Sequence, residues 1–261
     1  MASFTGNSIK NVYKDILHTS NSNTGIGSSI KQITCGDGDT SALYLSDRNI
    51  KAQPSTDSTA NTVIYDADGN ALLTVDSTND LVKAGIGQHN VNTQYATFGI
   101  SNDTATLSAN IHYAIPFGTY SYAASQLITM GTGTNPDTSS TIATQGHIDI
   151  AGYWHVMDNL TIDRVIWWSG ADTATGDTTR AHLMSYSVDS GNGSTSGDLS
   201  SGTVLADGGD ITNSGYEQSY YQQLTIQSAN VDAGKIIIFT FRSDSVNSDY
   251  TINATVKYHL R

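Results

Sequence analysis

Glutamate is almost missing from this sequence. Glu217 is the only one in 261 residues. The usual glutamate pairs of glycoside hydrolysis are therefore absent. Aspartates could replace them, because two carboxylates converging in space leave no spacing signature. Most aspartates here, however, sit in Gly/Ser/Asn turn contexts. Cysteine is nearly missing too. Cys35 stands alone, which excludes an intrachain disulfide framework, and within "KQITCGDGD" it reads as a small buried hydrophobe. Cations are scarce, with Lys and Arg totalling 12 against a formal net charge of −12. No basic patch is visible to face phosphates, so nucleic acid is not an expected partner. Long apolar runs are also lacking. The strongest, Ile236-Ile237-Ile238-Phe239, is far too short for a membrane-spanning helix. The start, "MASFTGNSIK", lacks the charged and apolar regions of a secretory signal.

Catalytic and ligand motifs are equally sparse. No G-x-S-x-G elbow and no phosphate loop occur. The seven histidines, His18, His89, His112, His147, His155, His182 and His259, show no metal-ligand spacing. "DADGN", Asp66 to Asn70, resembles the start of a calcium loop. Its twelfth position is Ser77 rather than glutamate, so a hairpin turn is the better reading. "GDGD", Gly36 to Asp39, reads the same way. The expectation is no enzyme, no cofactor and no metal site.

What the chain does have is Ser, Thr, Asn, Asp and Gly around 14 Tyr, 5 Phe and 3 Trp. The aromatics lie in alternating runs, which argues for ordered, turn-rich β-structure rather than disorder. One helix is predicted over Ser8–Thr19. Ile9, Val12, Tyr13, Ile16 and Leu17 recur on one helical face. That stripe is short and needs a partner, which makes these five the candidate assembly or attachment residues. A Gly/Ser/Asn linker follows to Ser29.

Two small segments echo each other: "ALYLSDRNIKA" (42–52) and "ALLTVDSTNDLVKA" (71–84). Both run Ala-Leu, an alternating strand, a polar turn, an aliphatic and Lys-Ala, the second with three more residues at its turn. Units this small cannot bury a core alone. They are expected to share one between chains, with Gly85-Ile86-Gly87 turning the chain out toward a larger domain.

The expected division is 1–29 helix and linker, 30–130 a hairpin-rich base or shaft, 131–146 a polar connection, and 147–261 a head. The head's candidate strands include "LTIDRVIWWSG", "RAHLMSYSV", "GKIIIFTFRS" and "YTINATVKYHL". In the last, apolar residues alternate with polar ones, so one face is wet. "GKIIIFTFRS" reads as covered on both sides. Turn clusters between the strands suggest a two-sheet, jelly-roll-like sandwich. Adjacent aromatics on a strand face opposite ways. In Tyr153-Trp154, Trp167-Trp168 and Tyr220-Tyr221, one ring should enter the core and the other a surface or subunit interface. Trp154, Trp167 and Trp168 are the candidate interface or glycan-stacking aromatics.

The segments "FTGNSIKNVYKDIL", "ITCGDGDTSALYLS" and "VDSTNDLVKAGIGQ" resemble the N-terminal part of virion structural proteins of marine tailed phages, of the fibre-like or head-decoration type. "IDRVIWWSGAD" and "INATVKYHL" resemble the globular part. The resemblance implies an all-β homotrimer on the particle surface, with a β-rich base, a jelly-roll-like head and attachment through the N-terminus. Its implied partners are further copies of itself, the major capsid protein or other virion proteins, and host surface glycans. A tail fibre or lectin-like adhesin is the alternative. The resemblance carries no catalytic motif, so it transfers no functional residue.

Overall fold

A computed structural model describes residues 16–19, 21, 24–101, 107–121, 127–145, 152–171, 175–215, 218–245 and 250–261. Among them the chain is all-β apart from the short helix α1 (Ile142–Gln145). It forms two compact units, Met1–Val91 and Asn92–Arg261.

The first unit holds two four-stranded antiparallel sheets. One is β1 (His18–Thr19), β2 (Lys31–Thr34), β3 (Thr40–Leu45) and β4 (Ile50–Ala52), in that order. The other is β5 (Thr62–Tyr65), β6 (Ala71–Asp76), β7 (Leu81–Ala84) and β8 (His89–Asn90). The helix expected over Ser8–Thr19 falls mainly on residues 1–15, outside those described. Its end is corrected: His18 and Thr19 are extended and pair with Thr34 and Ile33. The His18 ring meets the Thr34 hydroxyl across the ladder at 3.3 Å.

The echo is a structural repeat. In the first copy Lys31 pairs Leu45, Gln32 pairs Tyr44, Leu43 pairs Ala52 and Leu45 pairs Ile50. In the second, Thr62 pairs Val75, Val63 pairs Thr74, Leu73 pairs Ala84 and Val75 pairs Val82. So β2-β3-β4 and β5-β6-β7 are one meander used twice. Both turns hold four residues, Ser46 to Asn49 and Ser77 to Asp80. The second copy's extra length is therefore not in its turn. It lies in a further ladder pair, Asp76 with Leu81, and in one residue ahead, so that Leu43 corresponds to Leu73. The "DADGN" segment is a hairpin turn, with Asp66 Oδ1 accepting from the Asp68 and Asn70 amides at 2.9 and 2.8 Å. Gly85, at φ +73°, opens a turn closed by Gln88 N–H to the Gly85 carbonyl. That turn brings β8 back beside β7 instead of leading out of the unit.

The second unit carries β9 (Thr93–Ser101), β10 (Tyr113–Ile115), β11 (Gly118–Ser121), β12 (Trp154–His155), β13 (Leu160–Ala171), β14 (Thr178–Val188), β15 (Leu199–Thr212), β16 (Gln218–Ile226), β17 (Asn230–Val231), β18 (Lys235–Ser243) and β19 (Thr251–Leu260). Their order is β10-β18-β14-β15-β16-β13-β19-β9-β11, with β12 also beside β18 and β17 also beside β13. The two ends of this order, β10 and β11, are separated in the chain by only Pro116 and Phe117. The sheet must therefore curl back on itself.

β15 touches β16 at only Ala206–Ile226 and Asp207–Thr225. That narrow junction divides the sheet into two layers, β9-β19-β13-β16 and β10-β18-β14-β15. Taking the eight strands in chain order, the layers run first-eighth-third-sixth and second-seventh-fourth-fifth. This is the strand order of a jelly roll, two Greek keys wrapped into a sandwich. The domain boundary expected at 131–146 is thus displaced. The jelly roll's first two strands, β9 and β10, come from the segment assigned to the base. Residues 92–130 belong here because β9 pairs with β19 along nine residue pairs, from Thr93–His259 to Ser101–Thr251.

The main core fills the space between the layers. Phe98, Ile162, Val165, Trp167, Leu183, Leu205, Phe239, Phe241, Ile252 and Val256 all belong to it. A second cluster lies on the other side of β14 and β18: Met184, Tyr186, Ile236 and Ile238, covered by Ile128 and Met130. β18 is therefore buried on both faces, as its continuous apolar run predicts. The cover is a strap, residues 127–141. It is tied to β10 through Ala114 N–H to the Ile128 carbonyl and Met130 N–H to the His112 carbonyl. Its far end bridges to β15 through reciprocal backbone bonds between Ser140 and Leu199.

Candidate functional site

Three features of the described residues could act on something outside the chain or respond to its surroundings. The first is the repeated meander. In each copy the registers gather aliphatics on one face: Ile33, Leu43, Leu45 and Ile50 in the first, Ile64, Leu73, Val75 and Val82 in the second. Ile33 is buried, but Ile50 is 79% and Ile64 53% exposed, and Leu43 and Val82 are exposed too. The opposite faces carry mostly polar or engaged side chains, with Leu72 exposed on the second. Lys51 lies over the Tyr44 ring at 4.2 Å, and Asp76 is buried against Lys83 at 2.7 Å. Hydrogen bonds from Lys83 and then Asn79 hold the Asp76 carboxyl down at about 2. Each meander therefore carries an apolar face that the single chain leaves partly open.

The second feature is aromatic. Of the three candidate tryptophans, Trp154 and Trp167 are in the core, so neither can face a sugar. Trp154 stacks on Phe117 at 5.8 Å and meets Tyr258 at 4.9 Å. Trp167 packs on Phe241 and Phe239 and donates from Nε1 to Gln222 Oε1 at 3.0 Å. Trp168 is 49% exposed on the outer face of the β9-β19-β13-β16 layer. It pairs with Tyr221, ring centroids 5.1 Å apart, and the Arg164 guanidinium donates to the Tyr221 hydroxyl at 3.1 Å. Asn253 sits beside Trp168 in the register.

Of the five candidate attachment residues, Ile9, Val12 and Tyr13 lie outside the described residues. Leu17 is exposed and Ile16 half-buried, immediately before β1. Glu217 is also outside. Cys35 is a half-buried free thiol.

The third feature is a buried polar cluster under the strap, for which no local sequence pattern is a signal. His112 and His182 are 70 positions apart in the chain. The ladder brings them together because β18 lies between β10 and β14: Thr240 pairs with both Ala114 and His182. The two imidazoles meet edge to face at 5.2 Å, and both are fully buried. His112 Nε2 is 3.0 Å from the Gly133 carbonyl, which fixes Nε2–H as the neutral tautomer. His112 Nδ1, both His182 ring nitrogens and the Thr240 hydroxyl have no hydrogen-bond partner. Asp207 stands 3.6 Å from His182 Nε2, but it is already held by the Arg180 guanidinium. Burial pushes His182 down to about 4 and lowers His112 as well. Among the described residues no three His, Cys, Asp or Glu side chains gather as metal ligands.

Neither the models of known protein families nor the curated proteins contain a match to this chain. Among solved structures, one described as "Structure of infectious bursal disease virus Gx strain" is similar at 11% identity with a TM-score of 0.30. The alignment covers 99% of this chain and 48% of that one, so the chain spans about half its length. A likeness this remote carries no argument about fold or role.

Proposed function

We propose that the chain is a non-enzymatic structural protein of a tailed-phage particle, most specifically a trimeric capsid decoration (cement or head-fibre) protein. In this reading the first unit joins the copies, residues N-terminal to β1 attach to the particle, and the jelly roll is displayed on its surface. The observation that carries the reading is the doubled meander with an open aliphatic face in each copy. Repeated units with thin apolar faces are stable when neighbours supply the missing half of the core, and closed symmetry lets three identical faces do so at once. A jelly roll displayed on such a base needs no catalytic constellation. The role is mechanical, bridging neighbouring capsid subunits. Quantitative mass spectrometry of purified particles tests it. Hundreds of copies per particle are expected, and a few trimers per particle would overturn the decoration role.

That second outcome would favour a tail fibre or adhesin with a lectin-like head. The specific observation in its favour is the exposed Trp168–Tyr221 pair, an apolar surface with polar neighbours of the kind that stacks on a pyranose. A glycan array with the full chain tests it. Binding abolished by Trp168→Ala supports the adhesin, and no binding at all counts against it.

A further inference from the structure

We propose that the His112–His182 pair is an acid-operated latch: protonation of the two imidazoles releases the strap 127–141 from the outer face of the β10-β18-β14-β15 layer and uncovers the apolar surface beneath it.

Buried polar groups without partners are rare in folded proteins, and each calls for an explanation. Here four such atoms, His112 Nδ1, His182 Nδ1, His182 Nε2 and Thr240 Oγ1, belong to three residues joined by the same ladder rungs. The neutral His182 imidazole leaves one N–H unpartnered here, but a charged one costs more: the site is closed to water, and the acid nearest His182, Asp207 at 3.6 Å, is already held by Arg180.

The surrounding charges sharpen the effect. On β14 stands Arg180, on β15 Asp207 and Asp210, on β18 Arg242, and on the strap Asp137. Arg180 engages both Asp207 and Asp210, so the acidic groups of β15 are already paired. Arg242 donates to the Gly133 carbonyl at 2.8 Å, the same oxygen that His112 contacts. Two imidazolium ions with centroids 5.2 Å apart would then face each other and two guanidinium groups. Asp207 attracts His182, yet burial outweighs it and the ring is held at about 4.

The sign follows from linkage. An imidazole whose folded pKa lies below its unfolded value of about 6.5 takes up its proton more readily once the site opens. Closure is therefore favoured above about pH 6.5 and weakens as pH falls toward 4. The opening is local because the latch and the main core lie on opposite faces of the same layer. The strap can leave Met184, Tyr186, Ile236 and Ile238 while the cluster between the layers stays packed. The uncovered surface is apolar, so acidification would expose a face that the strap covers at neutral pH.

Hydrogen exchange of the full chain, corrected for the intrinsic effect of pH, tests the latch. Peptides spanning 127–141 are expected to lose at least about tenfold in protection between about pH 7 and pH 4.5, while the β19 peptide 251–260 stays protected. His182→Leu should move the midpoint down by about one pH unit or more, because it removes one of the two titrating groups. A change in the strap below about threefold, joint loss of strap and β19 protection, or an unshifted midpoint in His182→Leu would each overturn the proposal. If that variant fails to fold, histidine titration by NMR on the unaltered chain decides. His182 must titrate near 4 and His112 below the ordinary histidine value, and an ordinary value near 6.5 for either ring overturns the latch.

Discussion

Trp167 and Trp168 are chain neighbours with opposite fates, and substituting each by alanine should separate them sharply. Trp167 is 1% exposed, packed between Phe239 and Phe241, with its indole N–H given to Gln222. Truncating a buried aromatic of this size costs about 3–5 kcal/mol, through lost transfer energy and the cavity left behind. In a domain of 150–250 residues each kcal/mol moves the melting temperature by about 2–4 °C, so a loss near 4 kcal/mol lowers it by about 8–16 °C. Trp168→Ala loses only half a ring's burial and one aromatic pair, about 1 kcal/mol, and should cost less than about 4 °C. Scanning calorimetry of the two variants beside the parent chain measures both. Equal shifts, or a larger one for Trp168→Ala, would refute the packing described for β13.

Tyr186→Phe removes the buried hydroxyl that donates to the Asp137 carbonyl at 2.9 Å. About 1 kcal/mol should be lost, with faster hydrogen exchange in residues 127–141 at neutral pH and no change in β19. Lys83→Met takes away the largest influence holding the Asp76 carboxyl at about 2. The stabilisation from that carboxylate is complete above about pH 4 and fades as pH falls through 2. In the variant, carboxyl titration by NMR should show Asp76 protonating at a higher pH, and an unmoved titration would contradict the pairing. Ile50→Glu together with Val82→Glu places charge on both open meander faces. If the proposed trimer forms through these faces, it should shift toward monomer in sedimentation, and an unchanged profile would contradict the shared-core reading.

Much of the second unit was legible in the sequence. The alternation of Ile252, Ala254, Val256 and Tyr258 marked β19 as half-buried, and the unbroken Ile236–Phe239 run marked β18 as covered twice. Which tryptophan turned inward was not legible, for a specific reason. Leu160 and Ile162 point into the core on even positions, which would carry Trp168 inward. Between Ile162 and Arg164 the register against β19 slips by one residue. Asp163 is the extra residue, and its carboxylate meets the His259 ring at 2.9 Å. Beyond the bulge Val165 and Trp167 are the inward pair. One inserted residue exchanges the faces of everything after it.

A second bulge, Asp207-Gly208-Gly209-Asp210, lies inside the long strand β15. Its ladder with β14 slips between Arg180 and His182, and Gly209 sits at φ +70°. The boundary at 131–146 was misplaced because a polar, Pro-containing stretch looks like a linker when nothing indicates that it lies across a sheet. The strap it continues, with Ile128 and Met130 against Met184, Tyr186, Ile236 and Ile238, depends on strands far away in the chain. The histidine cluster was invisible for the same reason. His112 and His182 meet only through the pairing of β10, β18 and β14, which no local pattern encodes.

The central claim is that the first unit's open meander faces are completed by other copies of the chain. The mass of the full chain in solution, by native mass spectrometry or light scattering at neutral pH, tests it most directly. A single species of about three times the 27.7 kDa chain mass is predicted. A stable 27.7 kDa monomer at micromolar concentration would contradict it.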